Sequence, residues 1–149
     1  MARVFEERQA SVLGVETVAP DQTDKYGIVA TRAIAGRLSQ LEGIVEKPKP
    51  EDAPSNLAVV GRYLLTPAVY DKLEKTGRGA GGEIQLTDGI AALLADEPIY
   101  AYAFEGRRYD CGSKLGYLEA TVEFALKHAN LGDQFALFLA KLVADRLRR

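Results

Sequence analysis

An α/β or α+β fold, with strands and helices mixed and two longer helices at the end, follows from three observations on this chain of 149 residues. Short apolar runs separated by turn residues fill the first part, apolar residues then recur at helical spacing, and after Asp110 only long helical stripes remain. Taken in order, residues 12–18 and 27–34 read as strands around the polar loop 20–25. Residues 41–47 form a third strand. A fourth, 57–65, is nearly continuous in apolar residues, which predicts burial on both faces. Thr66-Pro67 reads as a side-chain cap followed by proline in the first helical turn, opening a short helix that runs to Lys75.

The glycine-rich stretch 77–82 is a loop, and 88–95 is a helix with Ile90, Leu93 and Leu94 on one side. Residues 98–104 and 107–109 suggest a hairpin turned at Glu105-Gly106. Ser113 caps the next helix, which carries Leu115, Leu118, Val122 and Ala125. After a break at Asn130-Leu131-Gly132, a second stripe of Phe135, Phe138, Leu139, Leu142 and Val143 leads to the basic tail Arg146, Arg148 and Arg149. Such stripes read as core or as a contact between subunits.

Composition narrows the class. The length fits one domain that buries about two-thirds of its unfolded surface. With 47% hydrophobic and 27% charged residues, the chain is an ordinary globular one. A net charge of −2 gives no field for nucleic acid, and no apolar run approaches a membrane span. A single cysteine, Cys111, excludes an internal disulfide framework; with no signal-peptide pattern, a cytoplasmic location is expected.

The residues that carry chemistry are few. In the run Gly43-Ile44-Val45-Glu46-Lys47-Pro48-Lys49-Pro50 a strand ends in an acid followed by a base. Alternation along a strand aims neighbouring side chains at opposite faces, which argues against Glu46 and Lys47 neutralising each other. Pro48 cannot donate to a ladder and biases Lys47 towards an extended backbone. The pair then points into the mouth of a sheet, where open α/β folds bind ligands; a solvated strand end is the plainer alternative. Asp110, between Tyr109 at a strand end and the small pair Cys111-Gly112, suits Mg²⁺, and equally suits a helix cap.

Other motifs fall away. Residues 77–82 match G-x-G-x-x-G as letters, but a helix precedes them instead of the strand that a dinucleotide cradle needs. One histidine and one cysteine exclude a His/Cys metal cluster. A hydrolase triad fails because the sole histidine, His128, lies mid-helix.

Four segments resemble one family in order and spacing: residues 45–49, residues 53–63, Gly82-Glu83-Ile84-Gln85-Leu86-Thr87-Asp88, and Tyr109-Asp110-Cys111-Gly112-Ser113-Lys114-Leu115-Gly116-Tyr117. The family is the bacterial UTP–glucose-1-phosphate uridylyltransferases, also called UDP-glucose pyrophosphorylases. The resemblance implies part of a Rossmann-like nucleotidyltransferase fold, a mixed sheet with flanking helices, over residues 1–112. Residues 113–149 would be C-terminal helices that pack or oligomerise. Family members are longer, and this chain is similar to their C-terminal half. The other half would hold the glycine-rich triphosphate loop, the uracil-recognition residues and a first metal-binding aspartate.

The implied reaction joins UTP and glucose 1-phosphate into UDP-glucose and pyrophosphate. By the same resemblance Lys47 would hold the sugar phosphate, Glu46 would accept hydrogen bonds from glucose hydroxyls, and Gly27 would let the backbone approach the sugar. Asp110 would hold Mg²⁺, making Lys47 and Asp110 the catalytic pair. Asn56, Val60 and Glu83 would line the sugar pocket. Partners would be glucose 1-phosphate, UTP, UDP-glucose and further copies of the chain, with neither nucleic acid nor membrane. Two alternatives stay open: a catalytically incomplete binding or assembly module, and a nucleotidyltransferase of other base or sugar specificity.

Overall fold

The computed structural model describes residues 1–148, with Ala80 described by its backbone alone. It divides into two compact units, Met1–Glu105 and Gly106–Arg149. Among the described residues no helix is long and apolar enough to cross a membrane.

The first unit is built on five strands: β1 (Val12–Thr17), β2 (Gly27–Ala35), β3 (Leu38–Glu46), β4 (Leu57–Leu64) and β5 (Tyr100–Ala103). They form the mixed sheet that was expected, and the sheet also closes on itself in the order β1-β4-β2-β3-β5. β5 runs parallel to β1, with Val12 opposite Tyr100, and antiparallel to β3, with Leu38 opposite Tyr102. This corrects the hairpin expected over 98–109: β5 is taken up by β1 and β3, and residues 107–109 form no strand. The parallel β1–β5 pairing joins strands far apart in sequence, so local turn signals do not reveal it.

Three helices belong to this unit, α1 (Ala2–Arg8), α2 (Ala68–Leu73) and α3 (Leu86–Leu93), and the loop 20–25 winds as a 3₁₀ turn. The first helix was not anticipated; none of its residues is buried, so it lacks the apolar stripe that would announce it. In α3 the predicted face holds, with Ile90 and Leu93 fully buried. They join Leu13, Val15, Val29, Leu41, Ile44, Val59, Val69 and Ile99 in one core. Each such side chain contributes about 1.5–3 kcal/mol relative to exposure. Gly89 eases the α2–α3 approach: a Cβ there would lie 2.5 Å from Leu73 Cδ2, and the leucine side chain would have to shift.

Strand β4 is not buried on both faces as its composition suggested. Ala58 and Val59 are buried, but Gly61 and Arg62 are exposed and Tyr63 is only partly covered, at 36% exposure. The pairing with β1 slips between Leu13 and Val15, and Gly61 adopts a positive φ of 72°. That irregularity turns the far end of the strand outward. Thr66 does not cap α2 either. Its hydroxyl donates to Glu97 Oε1 at 2.6 Å and its N–H to Ser11 Oγ at 3.0 Å. The fully buried Ser11 thereby ties the start of β1 to the entry of α2 and the approach to β5.

In the second unit α4 (Lys114–Leu126) and α5 (Gly132–Leu147) form the expected pair. Ser113 caps α4 as predicted, accepting from the Gly116 N–H at 3.0 Å. His128 is not mid-helix; it follows α4, and its Nδ1 accepts from the Asn130 N–H. Arg107 pairs with Glu119 and Glu123 and stacks over Tyr109, which in turn meets Phe124. The apolar stripes do not form a closed core in this chain: Leu115, Leu118, Phe138, Leu142 and Val143 are all exposed.

Candidate sugar-phosphate site

The candidate site in the first unit is where β2 begins, β3 ends and α3 starts. Register sets Gly27 directly opposite Glu46. The Glu46 side chain is only 15% exposed, while that of Lys47 is 55% exposed. Thr87, in the first turn of α3 and 7% exposed, donates its hydroxyl to Glu46 Oε2 at 2.6 Å. Gly27 leaves room for this contact: a Cβ there would lie 3.2 Å from Glu46 Oε2 and 3.4 Å from Thr87 Oγ1. A carboxylate removed from water needs such partners, since its desolvation is costly without them.

Two expectations about Lys47 are overturned by one backbone feature. Its φ is +46°, in the left-handed region, instead of the extended form that Pro48 favours. The Lys47 N–H is bound to the Tyr26 carbonyl at 2.9 Å, which holds the residue there. Because β3 ends at Glu46, strand alternation no longer governs Lys47. Its ammonium swings back to Glu46 Oε1, at 3.7 Å. Acid and base therefore do form an ion pair, although at a separation too long for a good hydrogen bond.

The other expected residues are distributed more widely. Asn56 is exposed just before β4 and its carbonyl accepts the Val18 N–H at 2.9 Å. Val60 is half-buried on β4, one strand over from Gly27, since Ile28 faces Ala58. Glu83 is exposed, and its carbonyl accepts from the Gly79 N–H, closing the glycine-rich loop ahead of α3.

Asp110 belongs to the second unit. It is exposed in a turn rather than at a strand end; its Oδ1 accepts the Gly112 N–H at 3.0 Å and its carbonyl accepts from Ser113. Mg²⁺ takes hard oxygen ligands, often from one or two carboxylates with phosphates completing the shell. The Asp110 carboxylate fits one such position. No group of three or more His, Cys, Asp and Glu able to hold a metal occurs among the described residues.

Two residues of the first unit had no assigned role in the sequence. Thr87 stands three positions before Ile90 and so on the buried side of α3, a polar group on an apolar face. The helix expected from the sequence began only at Asp88, so neither this placement nor the partner on β3 was read. Tyr63 was invisible as a participant. Burial, and secondarily the Glu46 carboxylate, push its phenol above the ordinary value.

The candidate site is thus a sheet end presenting a screened carboxylate, an exposed ammonium paired with it at long range, and a glycine opening. The chain belongs to the nucleotidyl transferase family, whose model matches residues 1–126. Among its relatives, UTP–glucose-1-phosphate uridylyltransferase 2 of Staphylococcus saprophyticus is 48% identical over 142 residues, 95% of this chain and 49% of that protein. The UTP–glucose-1-phosphate uridylyltransferase of Pseudomonas aeruginosa is 46% identical over 121 residues, covering 81% of this chain and 43% of its own length. A crystal structure of UDP-glucose pyrophosphorylase complexed with UDP-glucose superposes with a TM-score of 0.82 at 41% identity, over 86% of this chain and 49% of that one. UTP-bound UGPase from Acinetobacter baumannii gives a TM-score of 0.83 at 41% identity, over 95% and 49%. The chain spans about half the length of the curated relatives it matches.

Proposed function

We propose that this chain supplies the sugar-phosphate half of a uridylyltransferase that converts UTP and glucose 1-phosphate into UDP-glucose and pyrophosphate. The observation that carries the reading is the Gly27–Glu46–Lys47 arrangement at the end of the β2–β3 pair. Lys47 would bind the phosphate of the sugar, its exposed ammonium being held beside the sheet by the Tyr26 hydrogen bond. Glu46, acceptor-only when ionised, would take hydrogen bonds from ring hydroxyls, which fixes the sugar's orientation. Gly27 would admit the ring where a side chain would block it. The pocket would extend to Asn56, Val60 and Glu83.

A phosphate oxygen of the sugar attacks the α-phosphorus of UTP, and pyrophosphate leaves. Both reactants are anions, so positioning and charge neutralisation account for most of the catalysis. Mg²⁺, with Asp110 as one of its ligands, would supply further neutralisation on the phosphates. UTP and glucose 1-phosphate stand in the names of the relatives above, and that agreement supports uracil as the base and glucose as the sugar here. Residues 1–112 would be catalytic and 113–149 a packing or subunit-contact region. A cytoplasmic setting agrees with a lone, exposed and free Cys111.

The test uses Lys47→Ala and Asp110→Asn in a protein carrying both halves. Lys47→Ala should raise KM for glucose 1-phosphate about tenfold or more, as expected for losing a charged hydrogen-bond donor, with UTP affected far less. Equal losses for the two substrates would refute the Lys47 role. Asp110→Asn should cut Mg²⁺-dependent turnover steeply; an unchanged metal dependence would remove Asp110 from the site. The exposed stripes on α4 and α5 favour a second reading, an assembly module without turnover. Pyrophosphate release by the chain with and without an added nucleotide-binding half separates the two.

A further inference from the structure

We propose that Thr87 is a positioning residue of this site: its hydroxyl anchors the Glu46 carboxylate, so that the ion pair with Lys47 stays long and does not close into a hydrogen-bonded one, and both groups can turn to the sugar phosphate. The inference deepens the sugar-phosphate reading and rests on it. Glu46 has two candidate partners of opposite consequence. Its Oε2 accepts the Thr87 hydroxyl at 2.6 Å, a short bond of the kind made to an ionised acceptor. Its Oε1 is 3.7 Å from the Lys47 ammonium. Were the carboxylate to rotate fully onto that ammonium, the two charges would satisfy each other and neither would be free for ligand. The Thr87 bond opposes that collapse.

The threonine is well placed for the task. It lies on α3 one turn before Ile90 and two before Leu93, both fully buried, so its backbone cannot follow the carboxylate. Its β-branch restricts χ1 in a helix. Its methyl group, Cγ2, is 3.7 Å from where a Cβ on Gly27 would lie, so it faces the opening that the glycine leaves. A hydroxyl has one hydrogen to donate, and here Glu46 receives it.

The experiment titrates glucose 1-phosphate by calorimetry into the protein carrying both halves, for the parent and for Thr87→Val, Thr87→Ser and Thr87→Ala. Thr87→Val keeps the shape and removes the donor, and should weaken binding about tenfold, the effect of losing a hydrogen bond to a charged group. Thr87→Ser keeps the donor and should stay within about twofold, because only a methyl is lost. A purely structural role predicts the opposite order, with serine, which leaves a void, worse than valine. Should valine prevent folding, the serine–alanine pair isolates the hydroxyl in the same way. Binding by Thr87→Val equal to the parent, or serine worse than valine, overturns the inference and leaves the sugar-phosphate reading standing. Failure of the parent protein carrying both halves to bind glucose 1-phosphate overturns that reading, and the Thr87 role with it.

Discussion

Lys47 carries a left-handed backbone immediately before a proline, and that conformation lets a lysine one residue past a strand end reach back over it. Uncommon conformations of non-glycine residues persist where surrounding structure over-determines them, and they concentrate at functional sites. The hydrogen bond to Tyr26 is that determinant here. Tyr63 offers a separate residue-scale test. Its raised phenol, caused first by burial and then by the Glu46 carboxylate, means that the folded chain retains the proton more firmly than the unfolded one. Below the unfolded value near 10.0 both states are protonated and this stabilisation is fully present. Above it the unfolded state binds fewer protons, so stability falls as pH rises towards the folded value. Tyr63→Phe should therefore flatten the loss of stability in the alkaline range, read from denaturant midpoints at increasing pH. An unchanged slope would show that the phenol does not sense its surroundings in this way.

At the scale of elements, two helices illustrate different sources of stability. The core-facing α3 draws on tertiary burial, with Ile90 and Leu93 in the core. By contrast, α4 has Ala120 as its one buried residue, and its order depends more on local bonds. Ser113 accepts the Gly116 N–H and donates to the Asp110 carbonyl, while Asp110 Oδ1 accepts the Gly112 N–H. Gly116 itself is required, because a Cβ there would collide with the Asp110 carbonyl. Ser113→Ala should cost about 1 kcal/mol, the usual effect of losing such a cap. Reduced helicity and a lower urea midpoint would report it; no change in either would mean that the cap bond is not holding the turn that presents Asp110.

Taken as a whole molecule, the chain presents large apolar side chains to solvent, among them Leu115, Phe124, Leu137, Phe138 and Leu142 on α4 and α5. Exposed apolar surface of this kind favours association. Light scattering over increasing concentration should show the chain self-associating, with replacement of Phe138 and Leu142 by serine reducing it. A monomer at every concentration would count against the subunit-contact role proposed for residues 113–149.

Local physical chemistry made much of this protein legible before any tertiary contact was known. Apolar runs and helical spacing located β1 to β5 and α2 to α5 to within a few residues, and Ser113 announced its cap, because these depend on neighbours along the chain. The acid and base at positions 46 and 47 were picked out from residue type and position, and the glycine at 27 only through the family resemblance. What the tertiary structure decided involves partners distant in sequence. The β1–β5 pairing closes the sheet, an irregularity against β1 turns the end of β4 to solvent, and Glu97 draws Thr66 away from its cap. The meeting of Thr87 with Glu46 belongs with these, since the hydroxyl and the carboxylate approach only once α3 has packed on β3. A pattern along one strand or helix specifies which face is buried, but not what lies across from it.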